Sequence, residues 1–260
     1  ETSRGVPMHR IGVLQGTYLG IYPGRTCDFW LTGRSRAVKE NCRFCSVGLN
    51  LGHDDADGKS LDEVMEVVHA ARRQSGVTYV DLNAGHADDL SYLDMLEPFV
   101  RRIKRETGLL VGLQAPPHPD LERYRALRRA GLNRVSFCFE IFDRELFANT
   151  CPGKARAYGL DRFLDAITAC VALGREGPRL EPWVVNGELI AGLEPPQGSI
   201  AAIEWLTARG AIPTACVFRP LRGTDMSRAK TPPTDEMVPV FAALWERCME
   251  ARLPIGMAPN

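Results

Sequence analysis

From Ser60 onward, short runs rich in β-branched and aromatic residues alternate with longer stretches whose apolar positions recur at helical spacing. Ser60-Leu61-Asp62-Glu63 has the form of a capping box, in which a serine hydroxyl and a later glutamate satisfy each other's free backbone donors. Leu61, Val64, Met65 and Val68 then follow on one helical face. The same reading predicts strands over 77–83, 109–114, 134–141, 183–191 and 212–218. It predicts helices over 91–106, 159–173, 200–209 and 234–251. Asp120 is placed to cap a further helix that stops near Gly131, since glycine accepts the left-handed backbone of a helix end. In the last helix Met237, Phe241, Leu244, Trp245 and Cys248 share one face, and 254–258 reads as the start of a final strand.

Repeated strand–helix units imply a parallel sheet with right-handed crossovers. The expected fold is therefore α/β, a partial or full (β/α) TIM-type barrel formed as a single domain over 1–260. Such barrels collect active groups at the carboxyl ends of their strands. Two long loops interrupt the pattern. One covers 220–233 and is rich in Gly, Pro and Thr; the other, near the N-terminus at about 25–52, carries three cysteines and has no clear periodicity.

Composition narrows the function. The chain has 260 residues, 45% of them hydrophobic, enough for one sizeable core. Lys+Arg and Asp+Glu each total 32, so the net charge is zero and there is no basic excess of the kind a nucleic-acid binder shows. No apolar run reaches membrane-spanning length, and the residues after Glu1 do not follow the charged-then-apolar pattern of a signal peptide. Eight cysteines over this length are too sparse for a disulfide scaffold, which points to thiols or metal ligands in a reducing, cytoplasmic setting.

Cys27, Cys42 and Cys45 carry the candidate chemistry, with 14 residues between the first two and two between the last two. A C-x-x-C pair lets both thiolates converge on adjacent metal centres, and a distant third cysteine can close the site. Four cysteines would saturate a [4Fe–4S] cluster, whereas three leave one iron open for catalysis. Arg25, Arg34, Arg36 and Arg43 lie close in sequence and can offset the anionic charge of such a group. Two other readings remain open on the residues alone: a structural zinc site that recruits His53, and three ordinary buried cysteines.

At Cys42-Arg43-Phe44-Cys45 the chain resembles the radical SAM superfamily, in particular members similar to biotin synthase and the hydrogenase-maturation and pyrrolysine-pathway enzymes. The resemblance implies a [4Fe–4S] cluster on Cys27, Cys42 and Cys45, S-adenosylmethionine as second cofactor, and Phe44 near the adenine. The family's commonest spacing has fewer residues between its first two cysteines than this chain has. Asn83-Ala84-Gly85-His86 falls where the family has a small-residue turn that contacts the methionyl amine, a match of position and not of residue type. Glu140 falls at the ribose position, and Arg156 resembles the basic residue that pairs with the cofactor carboxylate. Ile190 and Gly192, in Ile190-Ala191-Gly192-Leu193-Glu194, resemble the adenine contact and the glycine that permits close approach; Glu194 departs from the usual register.

What the resemblance implies is reductive cleavage of S-adenosylmethionine to a 5′-deoxyadenosyl radical that abstracts hydrogen from a small-molecule substrate. The electron would come from an external donor of flavodoxin or ferredoxin type. Strand alternation places Ser136, Cys138 and Glu140 on one face, so Cys138 is the candidate catalytic thiol. Asp81, Asn83 and Gln114 are further candidates for facing substrate. The competing functions are a zinc-dependent barrel hydrolase and a non-catalytic iron–sulfur protein using the same cysteines. The sequence contains neither a phosphate-binding G-x-x-x-x-G-K-[ST] loop nor a G-x-S-x-G elbow.

Overall fold

A computed structural model describes residues 1–30, 39–176 and 181–257, which fall into two compact units. The first comprises 1–30, 47–135 and 181–183; the second comprises 39–46, 136–176 and 184–257. Arg34, Arg36 and Ala258 lie outside the described residues.

In the first unit, β1 (Gly12–Gln15) and β2 (Tyr18–Ile21) form an antiparallel hairpin with Gln15 opposite Tyr18. Gly16 turns it at φ +58°, a conformation that costs glycine little. β2 runs parallel to β3 (Tyr79–Asn83), and β3 runs parallel to β4 (Leu110–Gln114). The sequence pattern predicts no element before Ser60. Both hairpin strands are short, and Gly12 and Gly20 dilute their β propensity.

α1 (Val47–Asn50) is a single turn in the cysteine loop. α2 (Leu61–Ser75) begins as expected: Glu63 N–H donates to Ser60 Oγ (3.2 Å) and Ser60 N–H donates to Glu63 Oε2 (3.1 Å). Its buried face includes Val64, Met65 and Val68, and it stops at Gly76. α3 (Tyr92–Thr107) buries Leu93, Leu96, Val100 and Ile103. α4 (Glu122–Arg129) is shorter than expected and has Leu121 as its cap. The Asp120 carboxylate still accepts Glu122 N–H (3.0 Å), but as a local turn just outside the helix.

In the second unit, β5 (Arg134–Glu140) contributes from Ser136 onward. β6 (Val184–Ala191), β7 (Ile212–Val217) and β8 (Gly256–Met257) are parallel neighbours, with Ile190 opposite Cys216 and Thr214 opposite Gly256. Three helices follow β5: α5 (Arg144–Thr150), α6 (Pro152–Ala157) and α7 (Gly159–Leu173). The first two are too short to show periodicity. Asp143 caps α5 by accepting Glu145 and Leu146 N–H (3.0 and 2.9 Å). Pro152 opens α6 where a proline's missing N–H is no loss.

α8 (Pro196–Thr207) starts earlier than expected, again on a proline. α9 (Thr234–Ala251) has the expected bounds but a different buried face: Met237, Val240, Leu244 and Cys248 are inside, while Trp245 is 59% exposed. Trp245 lies about 100° around the helix from Leu244, which is far enough to leave the core stripe. Among the described residues, no helix is long and apolar enough to cross a membrane.

Candidate functional site

The strand alternation expected for β5 is realised in the second unit, and it meets a matching face on β6. Ser136 Oγ donates to Glu188 Oε1, and Cys138 Sγ donates to Glu188 Oε2 (3.3 Å). Asn186 Nδ2 donates to Thr214 Oγ1 (2.8 Å). On β7, burial first and then the Glu140 and Glu188 carboxylates push the Cys216 thiol up to about 12. Glu188 escaped the sequence reading, although the alternation of Asn186, Glu188 and Ile190 would have placed it on the face of the candidate residues.

β5 ends in a tight turn at Glu140. Its φ is +69°, and Ile141 N–H donates to Phe139 O across it (2.8 Å). A non-glycine residue held in this region costs about 1–3 kcal/mol and persists only where its surroundings hold it. The holding group is Lys154 of α6, whose Nζ donates to Glu140 Oε1 (2.8 Å) and to Cys138 O (2.6 Å). The two side chains are only 14% and 12% exposed. Burial opposes the ammonium charge. The anionic groups around it, the Glu140 carboxylate foremost, outweigh it and hold the Lys154 pKa well above the lysine range. Lys154 lies in a helix with no periodic signal, and the family resemblance points to Arg156 instead. Arg156 is exposed and grips Glu40 through both Nε and Nη2, the latter at 2.9 Å.

The C-x-x-C turn closes on itself, with Cys45 N–H donating to Cys42 O (3.0 Å). Gly153 N–H donates to Glu40 O (3.0 Å), and Arg43 N–H donates to Thr150 O (2.9 Å), tying this turn to the α5–α6 junction. Cys42 is buried; the hydrogen bond between its thiol and that of Cys151, followed by burial, raises its pKa. Phe44 is half-buried.

The remaining cysteine of the trio belongs to the first unit. Cys27 Sγ accepts His86 N–H (3.3 Å), and Asp28 N–H donates to His86 O (2.9 Å). A Cβ on Gly85 would lie 2.5 Å from that of Cys27 and 2.7 Å from Tyr22 Oη, so the approach requires glycine. Gly85 N–H donates to Tyr22 Oη (2.9 Å), and Ala84 N–H donates to Gln114 O (2.9 Å). Asn83 ends β3, and Ala84 and Gly85 continue past its carboxyl end, with Gly85 against Cys27. Asp81 is engaged elsewhere, accepting from Tyr79 Oη (2.5 Å) and Arg134 Nη1 (3.0 Å).

Gly192 has φ +94°, and a Cβ there would meet Pro232 Cγ at 2.5 Å. Ile190, on the same stretch, is half-buried. The Glu194 carboxylate is enclosed by Phe142 N–H (3.1 Å), Asp143 N–H (2.9 Å) and Ser199 Oγ (3.2 Å), and burial raises its pKa. It staples a loop to the start of α8. Among the described residues, no three His, Cys, Asp or Glu side chains are grouped as a metal site. What Cys27, Cys42 and Cys45 offer is a donor set: soft sulfur ligands suited to iron–sulfur.

A family model described as Radical SAM superfamily matches residues 39–190. Bacteriochlorophyllide c C-7(1)-hydroxylase of Chlorobaculum limnaeum is 24% identical over 241 residues, 85% of this chain and 57% of that protein. Methylornithine synthase (PylB) has a similar structure, with a TM-score of 0.66 at 17% identity, covering 92% of this chain and 63% of the other. Streptococcus suis SuiB bound to S-adenosylmethionine gives a TM-score of 0.65 at 12% identity, covering 97% and 52%. The chain thus spans 52% to 63% of the length of these relatives. The structural likenesses show the fold, an α/β partial barrel.

Proposed function

Because the chain belongs to the radical SAM superfamily, we propose that it holds a [4Fe–4S] cluster on Cys27, Cys42 and Cys45 and cleaves S-adenosylmethionine reductively to abstract hydrogen from a small-molecule substrate. The observation that carries this reading is the Cys42–Cys45 turn inside the family-matched segment, closed by its own backbone bond and backed by the α5–α6 junction. When bound, the cluster and S-adenosylmethionine supply an open iron and a cleavable sulfonium, the source of a 5′-deoxyadenosyl radical.

The chain's own residues hold, orient and shield these groups. Arg25 and Arg43, both exposed, contribute positive charge near the thiolates. The Asn83-Ala84-Gly85 segment at the end of β3 presents small residues beside Cys27 and is the contact for the methionyl amine. Glu140, with Oε1 held by Lys154, accepts the ribose hydroxyls. Phe44, Ile190 and Gly192 shape the adenine side. Arg156 pairs with the cofactor carboxylate by exchanging its bond to Glu40. Cys138, oriented by Glu188, is the substrate-side thiol. The relative named for bacteriochlorophyllide c supports a small-molecule substrate, and the electron comes from a flavodoxin- or ferredoxin-type donor.

Anaerobic reconstitution with iron and sulfide tests the reading. The parent protein is expected to turn brown with broad visible absorbance and to release 5′-deoxyadenosine from S-adenosylmethionine under dithionite. Cys42→Ala and Cys45→Ala are each expected to lose both properties. A full iron and sulfide complement in either variant would show that the ligands are misassigned, and a colourless zinc protein would remove the activity altogether.

A further inference from the structure

Cys151 lies outside the ligand set, yet it is fully buried, and Cys42 is buried too. The backbone brings the two together. Glu40 is bonded to Gly153 and Arg43 to Thr150, so the two segments run antiparallel and bring Cys42 opposite Cys151. Cys151 is also held from both sides: its N–H donates to Phe147 O (2.8 Å), and Ala155 N–H donates to its carbonyl (2.9 Å). Its backbone is thereby pinned at the α5–α6 junction.

We propose that Cys151 is a positioning residue that donates an S–H···S hydrogen bond to the sulfur of Cys42 and so raises the reduction potential of the cluster Cys42 ligates. The inference rests on the proposed function, in that Cys42 must bind iron. A thiol that binds iron gives up its proton, so only Cys151 then has a proton to donate, and the direction of the bond is set. Reduction adds one electron to the cluster and makes its sulfurs more negative. A donor aimed at one of them stabilises the reduced form more than the oxidised form. Cys151→Ala removes that donor and leaves all three ligands in place.

The test is an EPR-monitored redox titration of the reconstituted protein, with dithionite as the one-electron reductant. Cys151→Ala is expected to load the same iron and sulfide as the parent and to show a more negative midpoint potential. Cys151→Ser, which restores an O–H donor, is expected to return the potential toward the parent value. Should Cys151→Ala fail to fold, Cys151→Val fills the space without a donor and takes its place in the comparison. An unchanged potential in a folded, loaded donorless variant would overturn the proposal. Loss of the cluster from a folded Cys151→Ala would overturn it too, by making Cys151 a ligand. A full cluster in Cys42→Ala would instead defeat the ligand assignment on which it rests.

Discussion

At Glu140 a strained backbone and a buried ion pair coincide. Removing two charges from water together is tolerable only if each keeps its partner, and here Lys154 also bonds the Cys138 carbonyl. Lys154→Met would leave the Glu140 carboxylate buried without a cation, a change that costs about 3–5 kcal/mol in comparable sites. The expected outcome is a urea midpoint lowered to match, with most of the loss recovered in Lys154→Met combined with Glu140→Gln. A loss below about 1 kcal/mol would mean the pair is hydrated in solution. The strain supports a functional role for Glu140, because a carboxylate needed only for stability could sit on relaxed backbone.

α2 shows how far local chemistry alone can define an element. Its start is the reciprocal Ser60–Glu63 cap, and its stop is Gly76 at φ +62°. Ser60→Ala is expected to cost about 1 kcal/mol, read from a denaturant melt. The Ser60 hydroxyl, outweighing burial and aided by Ser60 N–H and Arg4, holds the Glu63 carboxyl below its usual pKa. A lowered carboxylate pKa contributes stability that is complete above the unfolded value and is lost as pH falls through the folded one. The difference between parent and Ser60→Ala should therefore narrow on acidification; a constant difference would assign the loss to helix propensity alone. α9 is the contrast: its bounds follow from its sequence, but a one-residue error about its face moves Trp245 from core to solvent.

Over the whole chain, equal numbers of basic and acidic groups and a pI of about 7.2 leave little net repulsion between copies at neutral pH. Solubility of the purified chain is expected to pass through its minimum near pH 7.2, measured as the protein remaining in solution across a pH series. A minimum displaced far from that value would show that the folded charge differs from the formal sum, with Glu194, whose pKa burial raises, the first group to inspect. In the first unit Ala84 and Gly85 follow the carboxyl end of β3, and in the second Glu140 is the carboxyl end of β5.

Periodicity, capping and spacing act over a few residues. These local properties determined α2, the bounds of α7 and α9, the parallel strand–helix order and the C-x-x-C turn. They could not reach the first hairpin, whose short strands are stabilised by pairing with a neighbour, or α5 and α6, which are too short to repeat. Only tertiary structure brought Lys154 under Glu140, Glu188 against Cys138, and Cys151 opposite Cys42. Each of these contacts joins different elements, and its energy depends on burial and partners that no local pattern encodes.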